Sequence, residues 1–208
     1  MYTRLLQLGA LLLLVVPQPS AAFEFDVWRS GMGLSQVLST ARDHDLPIAP
    51  APIIHLEKGY NHAVASKGAG RHSAYKYQAR LLNWPAAVTL QLTPYTRELH
   101  TVEVRWITPT ATKTDRELLE DNLVEILSKK YGAFSRPLPG SLDAALLQRG
   151  VKQWSPSPTD RVLLERRLGG VLALRYVDLP LKDKAVREDE ALRKKSAEEG
   201  RAVDGRRL

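Results

Sequence analysis

The chain has 208 residues, 44% of them hydrophobic, a formal net charge of +7 and no cysteine. Without a thiol there is no cysteine nucleophile, no disulfide, no zinc knuckle and no iron–sulfur ligation. The size suits one domain or two small ones, and the basic balance favours polyanionic partners such as lipid head groups, cell-wall carboxylates or nucleic acid.

The first 22 residues have the pattern of a secretory signal. Arg4 supplies a positive start, Leu5 to Val16 is apolar except for Gln7 and Gly9, and Pro17 and Pro19 end the run. Ser20-Ala21-Ala22 places small residues where a signal peptidase reads, so cleavage is expected after Ala22. The apolar run is shorter than the roughly 20 residues needed to cross a bilayer, and no transmembrane span is expected in the mature chain. No cysteine is present for a lipid anchor. A cysteine-free exported protein points to a Gram-negative periplasm, and export argues against nucleic acid as the partner.

Phe23, Phe25 and Val27 alternate with Glu24 and Asp26, predicting a short strand over 23–27. Leu34, Val37, Leu38 and Ala41 form the stripe of one amphipathic helix. Gly33 is its expected N-cap, with Gln36 giving half of a capping box, and the helix should stop near His44 ahead of Pro47. Pro47, Pro50 and Pro52 predict an extended, irregular connector. Residues 56–73, with Gly59, Gly68, Gly70, Lys58, Lys67 and Arg71, predict a mobile basic loop.

A strand is expected around Tyr75 to Leu82. The alternating runs Val88–Leu92 and Val102–Trp106, separated by Pro94 to Arg97, predict an antiparallel hairpin with one buried face. The clearest helix is Asp115 to Tyr131, with Thr114 and Glu117 as capping box, Lys129 and Lys130 in the last turn, and Gly132 at C′. Leu119, Leu123, Ile126 and Leu127 are its expected buried stripe. Prolines 137, 139, 156 and 158 mark residues 135–160 as a connector, with a short helix around Leu142 to Leu147. Val162–Leu168 and Val171–Val177 flank Gly169-Gly170 as a second hairpin. The last stretch, from Lys182, predicts a largely solvated charged helix that frays past Gly200. Its Asp189–Arg193 and Glu190–Lys194 spacings suit i, i+4 pairs.

The expected fold class is therefore α+β, with antiparallel hairpins or meanders each followed by a packing helix and a charged C-terminal helix. Hairpin-then-helix recurs at 86–131 and 161–198, which raises an internal repeat as a suspicion. The divisions are a signal peptide at 1–22, an α+β region at 23–134, a Pro-rich connector at 135–160, and a second hairpin with the charged helix at 161–208.

Catalytic signatures are sparse. Ser73-Ala74-Tyr75-Lys76 has serine–lysine spacing, but it falls between a loop and a strand with no downstream Lys-Thr-Gly. There is no Gly-x-Ser-x-Gly elbow, Walker loop or His-Glu-x-x-His helix. No histidine pair has the i, i+4 spacing of a compact metal site, so neither metal nor cofactor is expected. The anion- or partner-binding candidates are the basic-loop residues Lys58, His62, Lys67, Arg71, His72 and Lys76. There, glycines let the backbone conform to an anion drawn in by the cations. Trp28, Trp84, Trp106 and Trp154 read as core residues rather than as a binding platform.

Gly31-Met32-Gly33-Leu34-Ser35-Gln36-Val37, with the strands at Val88–Leu92 and Leu99–Val104, resembles the SmpA/OmlA family of outer-membrane assembly lipoproteins. The resemblance covers residues 29–106. Gly33 stands where the family has a capping Thr, Gln36 where it has Glu, and the lipidated cysteine is absent. It implies an antiparallel meander and a small scaffolding or binding role in the cell envelope. The resulting expectation is an exported, non-catalytic periplasmic protein that binds an envelope protein or an anionic envelope component. The alternative is a periplasmic hydrolase with a non-standard site drawn from Ser73, Lys76 and His72.

Overall fold

A computed structural model describes residues 23–51, 54–55, 62–63, 74–106, 112–135, 150–167 and 171–204, without the side chains of 54–55, 62–63 and 196–204. The chain opens with β1 (Glu24–Phe25) and β2 (Trp28–Arg29), which pair antiparallel as Phe25↔Trp28. The expected strand over 23–27 is thus a tight hairpin. Asp26 turns the chain at φ 53°, a left-handed conformation that Asp tolerates. The turn brings the two buried aromatics Phe23 and Trp28 to the core.

Helix α1 (Leu34–Asp43) begins and ends where the sequence placed it. Gly33 N–H donates to Gln36 Oε1 at 2.9 Å, and His44 caps the C-terminus. Val37 and Ala41 are buried, but Leu38 is 40% exposed and lies outside the contact stripe. The expected irregular connector contains a strand, β3 (Ala49–Ala51), which pairs with β6 at the sheet edge. Only an edge accommodates Pro50, which has no N–H to donate. Ile54–His55 (β4) and His62–Ala63 (β5) pair as a separate two-stranded ladder.

Next come β6 (Ala74–Leu81), β7 (Trp84–Leu92) and β8 (Leu99–Trp106), a meander longer than the hairpin read from periodicity. The β6–β7 turn holds Leu82 at φ 50° and Asn83 at φ 65°. Two successive positive φ values make a turn that Asn-Gly suits and leucine does not. Leu82→Asn combined with Asn83→Gly should raise stability by about 1 kcal/mol, read as a higher urea midpoint with an unchanged slope.

Helix α2 spans Lys113–Tyr131 with Thr112, not Thr114, as N-cap. Thr112 Oγ1 accepts from Asp115 N–H at 3.1 Å, and Asp115 Oδ2 accepts from Thr112 N–H at 2.9 Å. The sequence holds two overlapping Thr-x-x-acid registers. The earlier one lengthens the helix and frees Glu117 to meet Lys113 at 3.8 Å. Leu119, Leu123 and Leu127 are buried as expected, whereas Ile126 is 46% exposed.

The segment expected to be a connector supplies β9 (Lys152–Trp154), while the helix expected at 142–147 lies outside the described residues. Strands β10 (Asp160–Arg166) and β11 (Leu172–Asp178) form the second hairpin. Helix α3 (Leu179–Asp204) follows without a loop and runs past Gly200, where fraying was expected. Asp178 Oδ1 accepts from Leu181 N–H at 3.0 Å at its start.

All the larger strands join one seven-stranded antiparallel sheet in the order β3-β6-β7-β8-β11-β10-β9. Two three-stranded meanders therefore meet through their last strands, β8 and β11, with Val104 opposite Leu174. The helices that follow the two meanders pack on opposite faces of the sheet. Side chains of one sheet face (Tyr77, Val88, Leu90, Val102, Val104, Val162, Leu164, Leu174 and Tyr176) form a core with Trp28, Val37 and the α2 leucines. Both meanders share it. Among the described residues none of α3 belongs to this core, although α3 packs on β8 and β11 and buries Ala185. Thr101 and Val177 are buried on the opposite sheet face, so α3 lies there. The architecture is α+β, with helices on both sides of an antiparallel sheet.

Glu120 fastens α2 to the sheet. It bonds Lys152 on β9, and it accepts from Arg166 Nε on β10 at 3.1 Å. Burial alone would raise its carboxyl, but the Lys152 and Arg166 contacts outweigh that and hold it below its ordinary value. A lowered carboxylate stabilises the fold above its unfolded pKa and loses that contribution as pH falls through the folded one. Glu120→Gln should therefore cost about 1–2 kcal/mol at neutral pH, with the gap to wild type closing in acid. Urea melts across the acidic range check this.

Candidate binding face

The sheet face opposite the core is polar by alternation. On β6 the residues are Lys76, Gln78 and Arg80; on β7, Thr89 and Gln91; on β8, Thr101, Glu103 and Arg105. Strand β11 adds Ala173, Arg175 and Val177, and β10 adds Arg161, Leu163 and Glu165. Ladder partners align Lys76, Thr89, Glu103, Arg175, Leu163 and Gln153 into one row across the strands.

In the middle of this face runs an arginine–glutamate ladder. Arg105 Nε lies 3.1 Å from Glu103 Oε1. Arg167, one residue past β10, grips Glu103 with two bonds of 3.2 and 2.9 Å and also bonds Glu165. Arg175 Nη2 reaches Glu165 at 3.3 Å. Glu165 is 2% exposed, a depth at which a carboxylate is kept only when paired. Burial works against the Arg167 guanidinium, yet the Glu103 and Glu165 contacts raise it above its ordinary value. The ladder has one more arginine than glutamate, and Arg175 Nε is buried without an acceptor. Across the whole face Lys76, Arg80, Arg105, Arg161, Arg167 and Arg175 outnumber Glu103 and Glu165.

Arg161 is committed to the backbone, donating to the carbonyls of Ser157 and Asp160 at 3.2 and 2.6 Å. Lys76, Arg80 and Arg105 are exposed. One end of the face is closed by α3. Glu188 accepts there from the Tyr95 and Thr96 amides at 2.6 and 3.3 Å, and Lys184 bonds Glu98 at 2.5 Å.

Of the basic-loop candidates, Lys58, Lys67, Arg71 and His72 lie outside the described residues, as do Ser73 and Ala22. His62 is placed in β5 opposite His55 by its backbone alone. Lys76 is the member whose side chain is described, and it belongs to the polar sheet face. Its companions there were missed, because their convergence depends on β8 pairing with β11. Strand alternation was the available signal: it puts Glu103 and Arg105, and Arg175, on the faces opposite their apolar neighbours.

Trp28, Trp106 and Trp154 are buried at 0, 2 and 1% exposure, in the core rather than on a platform. His100, expected on a polar strand face, is buried at a β-bulge with Nδ1 2.9 Å from Thr101 Oγ1. A shallow cleft of about 190 Å³, lined by Phe23, Glu24, Lys130, Tyr131 and Pro156, is smaller than ordinary small-molecule pockets of ~300 Å³ and above. Among the described residues no group of three His, Asp or Glu side chains is placed to hold a metal ion, and no helix is long and apolar enough to cross a membrane.

Compared with protein-family models, with curated proteins and with solved structures, the chain has no match.

Proposed function

We propose that this protein is an exported, non-catalytic binding or scaffolding module of the bacterial cell envelope, working in the periplasm through the polar face of its sheet. The observation that carries the reading is that face. Its exposed cations flank a ladder in which every carboxylate is already held by arginine, so the surface is suited to hold an anion. The export pattern in residues 1–22 and the resemblance of residues 29–106 to envelope scaffolding lipoproteins support the compartment and the class.

A chain processed after Ala22 would begin with a residue that belongs to the core. Phe23 is 4% exposed, its N–H donates to Ser30 Oγ at 3.3 Å, and Ser30 N–H returns a bond to Phe23 O at 3.1 Å. After cleavage the Phe23 α-amine would still have N–H groups to donate to Ser30, and the Phe23 carbonyl would be unaltered. N-terminal sequencing of protein recovered from the periplasm should begin Phe-Glu-Phe-Asp.

A photo-crosslinker placed at Gln78, on the polar face, should capture an envelope component in living cells. The same crosslinker at Asn122, on the exposed side of α2, should not. Turnover of an ester or cell-wall substrate by the mature chain, abolished by Ser73→Ala or Lys76→Ala, would replace this reading with the hydrolase.

A further inference from the structure

We propose that the open part of the polar sheet face is the docking surface for an extended, acidic segment of a partner protein. This rests on the binding reading above and names its partner class.

Charge complementarity is the first ground. Lys76, Arg80 and Arg105 are exposed cations on one face; Arg105 shares Glu103 with Arg167, and among the described residues no ion pair is made by Lys76 or Arg80 with the sheet carboxylates Glu103 and Glu165. Arg105 is anchored through Nε to Glu103, which fixes its side chain while its outer amines can meet a carboxylate, so little ordering remains to be done on binding.

Shape is the second. Helix α3 is 26 residues long, hence ~39 Å, and ~10–12 Å across with its side chains. It packs against β8 and β11 on the same face as the cations and so rises above the sheet there. A flat bilayer would rest on the helix and miss them, whereas a single chain fits alongside. Spacing is the third. With strands ~4.8 Å apart and residues ~3.4 Å apart along them, Lys76 and Arg105 are about 12 Å apart across the sheet, and Gln78, Thr89 and Gln91 lie between and beside them. Amide and hydroxyl side chains both donate and accept, so they can satisfy a peptide backbone between its acidic side chains.

The probe is a fluorescein-labelled peptide of alternating glutamate and serine, titrated against the chain beginning at Phe23. Binding should weaken steeply as salt rises from ~50 to ~200 mM. Lys76→Glu with Arg80→Glu should weaken it about tenfold or more. Lys113→Glu with Lys130→Glu, an equal charge change on α2, should leave it within about twofold. All four positions are exposed, so each double variant should stay folded at the assay temperature, its melting temperature lowered by a few degrees at most even where Lys113 loses Glu117, which confirms that unfolding is not the cause. Equal loss in the two double variants, or no binding at low salt, overturns the proposal. So does a partner preference for phosphatidylglycerol vesicles or polygalacturonate over the peptide. Capture by the Gln78 crosslinker with no peptide binding would leave the envelope-binding function standing and remove only this partner class.

Discussion

Replacing Glu165 by alanine should cost about 3–4 kcal/mol, because it strips the shared carboxylate from two arginines that have little water to turn to. Glu165 is 2% exposed and is bonded by Arg167 and Arg175, whose side chains are only 26% and 16% exposed. Arg167 keeps Glu103; Arg175 is left with no partner for its charge on the strand next to β10. The loss should exceed the hydrophobic area removed, which separates it from a simple cavity. A double variant, Glu165→Leu with Arg175→Met, should recover most of the loss, since an apolar pair of similar volume has no charge to desolvate. Urea denaturation of the two singles and the double gives the coupling directly. A double variant no more stable than Glu165→Ala would show that the ladder is held by packing rather than by its charges.

Trp28→Ala should be of comparable size, about 3–5 kcal/mol, seen as a fall in melting temperature of about 10 °C or more. Trp28 is fully buried at the junction of the N-terminal hairpin and the sheet, its ring 6.1 Å from that of Tyr77. Its indole N–H donates to Tyr77 Oη at 2.9 Å. Burial raises the Tyr77 hydroxyl above its ordinary pKa, and the Trp28 bond offsets part of that shift. Trp28→Phe keeps most of the ring volume and loses the donor, so it should cost about 1–2 kcal/mol. The difference between the two variants separates packing from hydrogen bonding.

How much could be read in advance follows the range of the forces involved. Helix α1 was placed to its ends because Gly33, Gln36 and the apolar stripe act within a turn or two of chain. In α2 the C-terminal Gly132 and the three buried leucines were legible, while the N-cap slipped by two residues because Thr112 and Thr114 offer equivalent capping registers. The turn at Asp26 was hidden, since alternation of Phe23, Phe25 and Val27 looks the same in a straight strand and in a hairpin. Strand β3 was hidden by Pro50, a residue that reads as irregular until the chain is known to lie at an edge. In the candidate site, Lys76 was singled out for its place beside a basic loop. Its partners on the face were not, because nothing near them in the chain says which strand lies next to which.

By itself, the amino-acid sequence determined the α+β class, the antiparallel hairpins at 88–106 and 162–177, and the helices that follow them, because period and capping are properties of neighbouring residues. Only the tertiary structure decided that β8 and β11 sit side by side, placing Glu103 opposite Arg175 and merging two meanders into one sheet. That pairing joins segments distant in the chain, and its energy comes from a shared core that no local pattern encodes. The same step put α3 on the polar face instead of the apolar one, the face that also carries the exposed cations Lys76, Arg80 and Arg105 on which the proposed function rests.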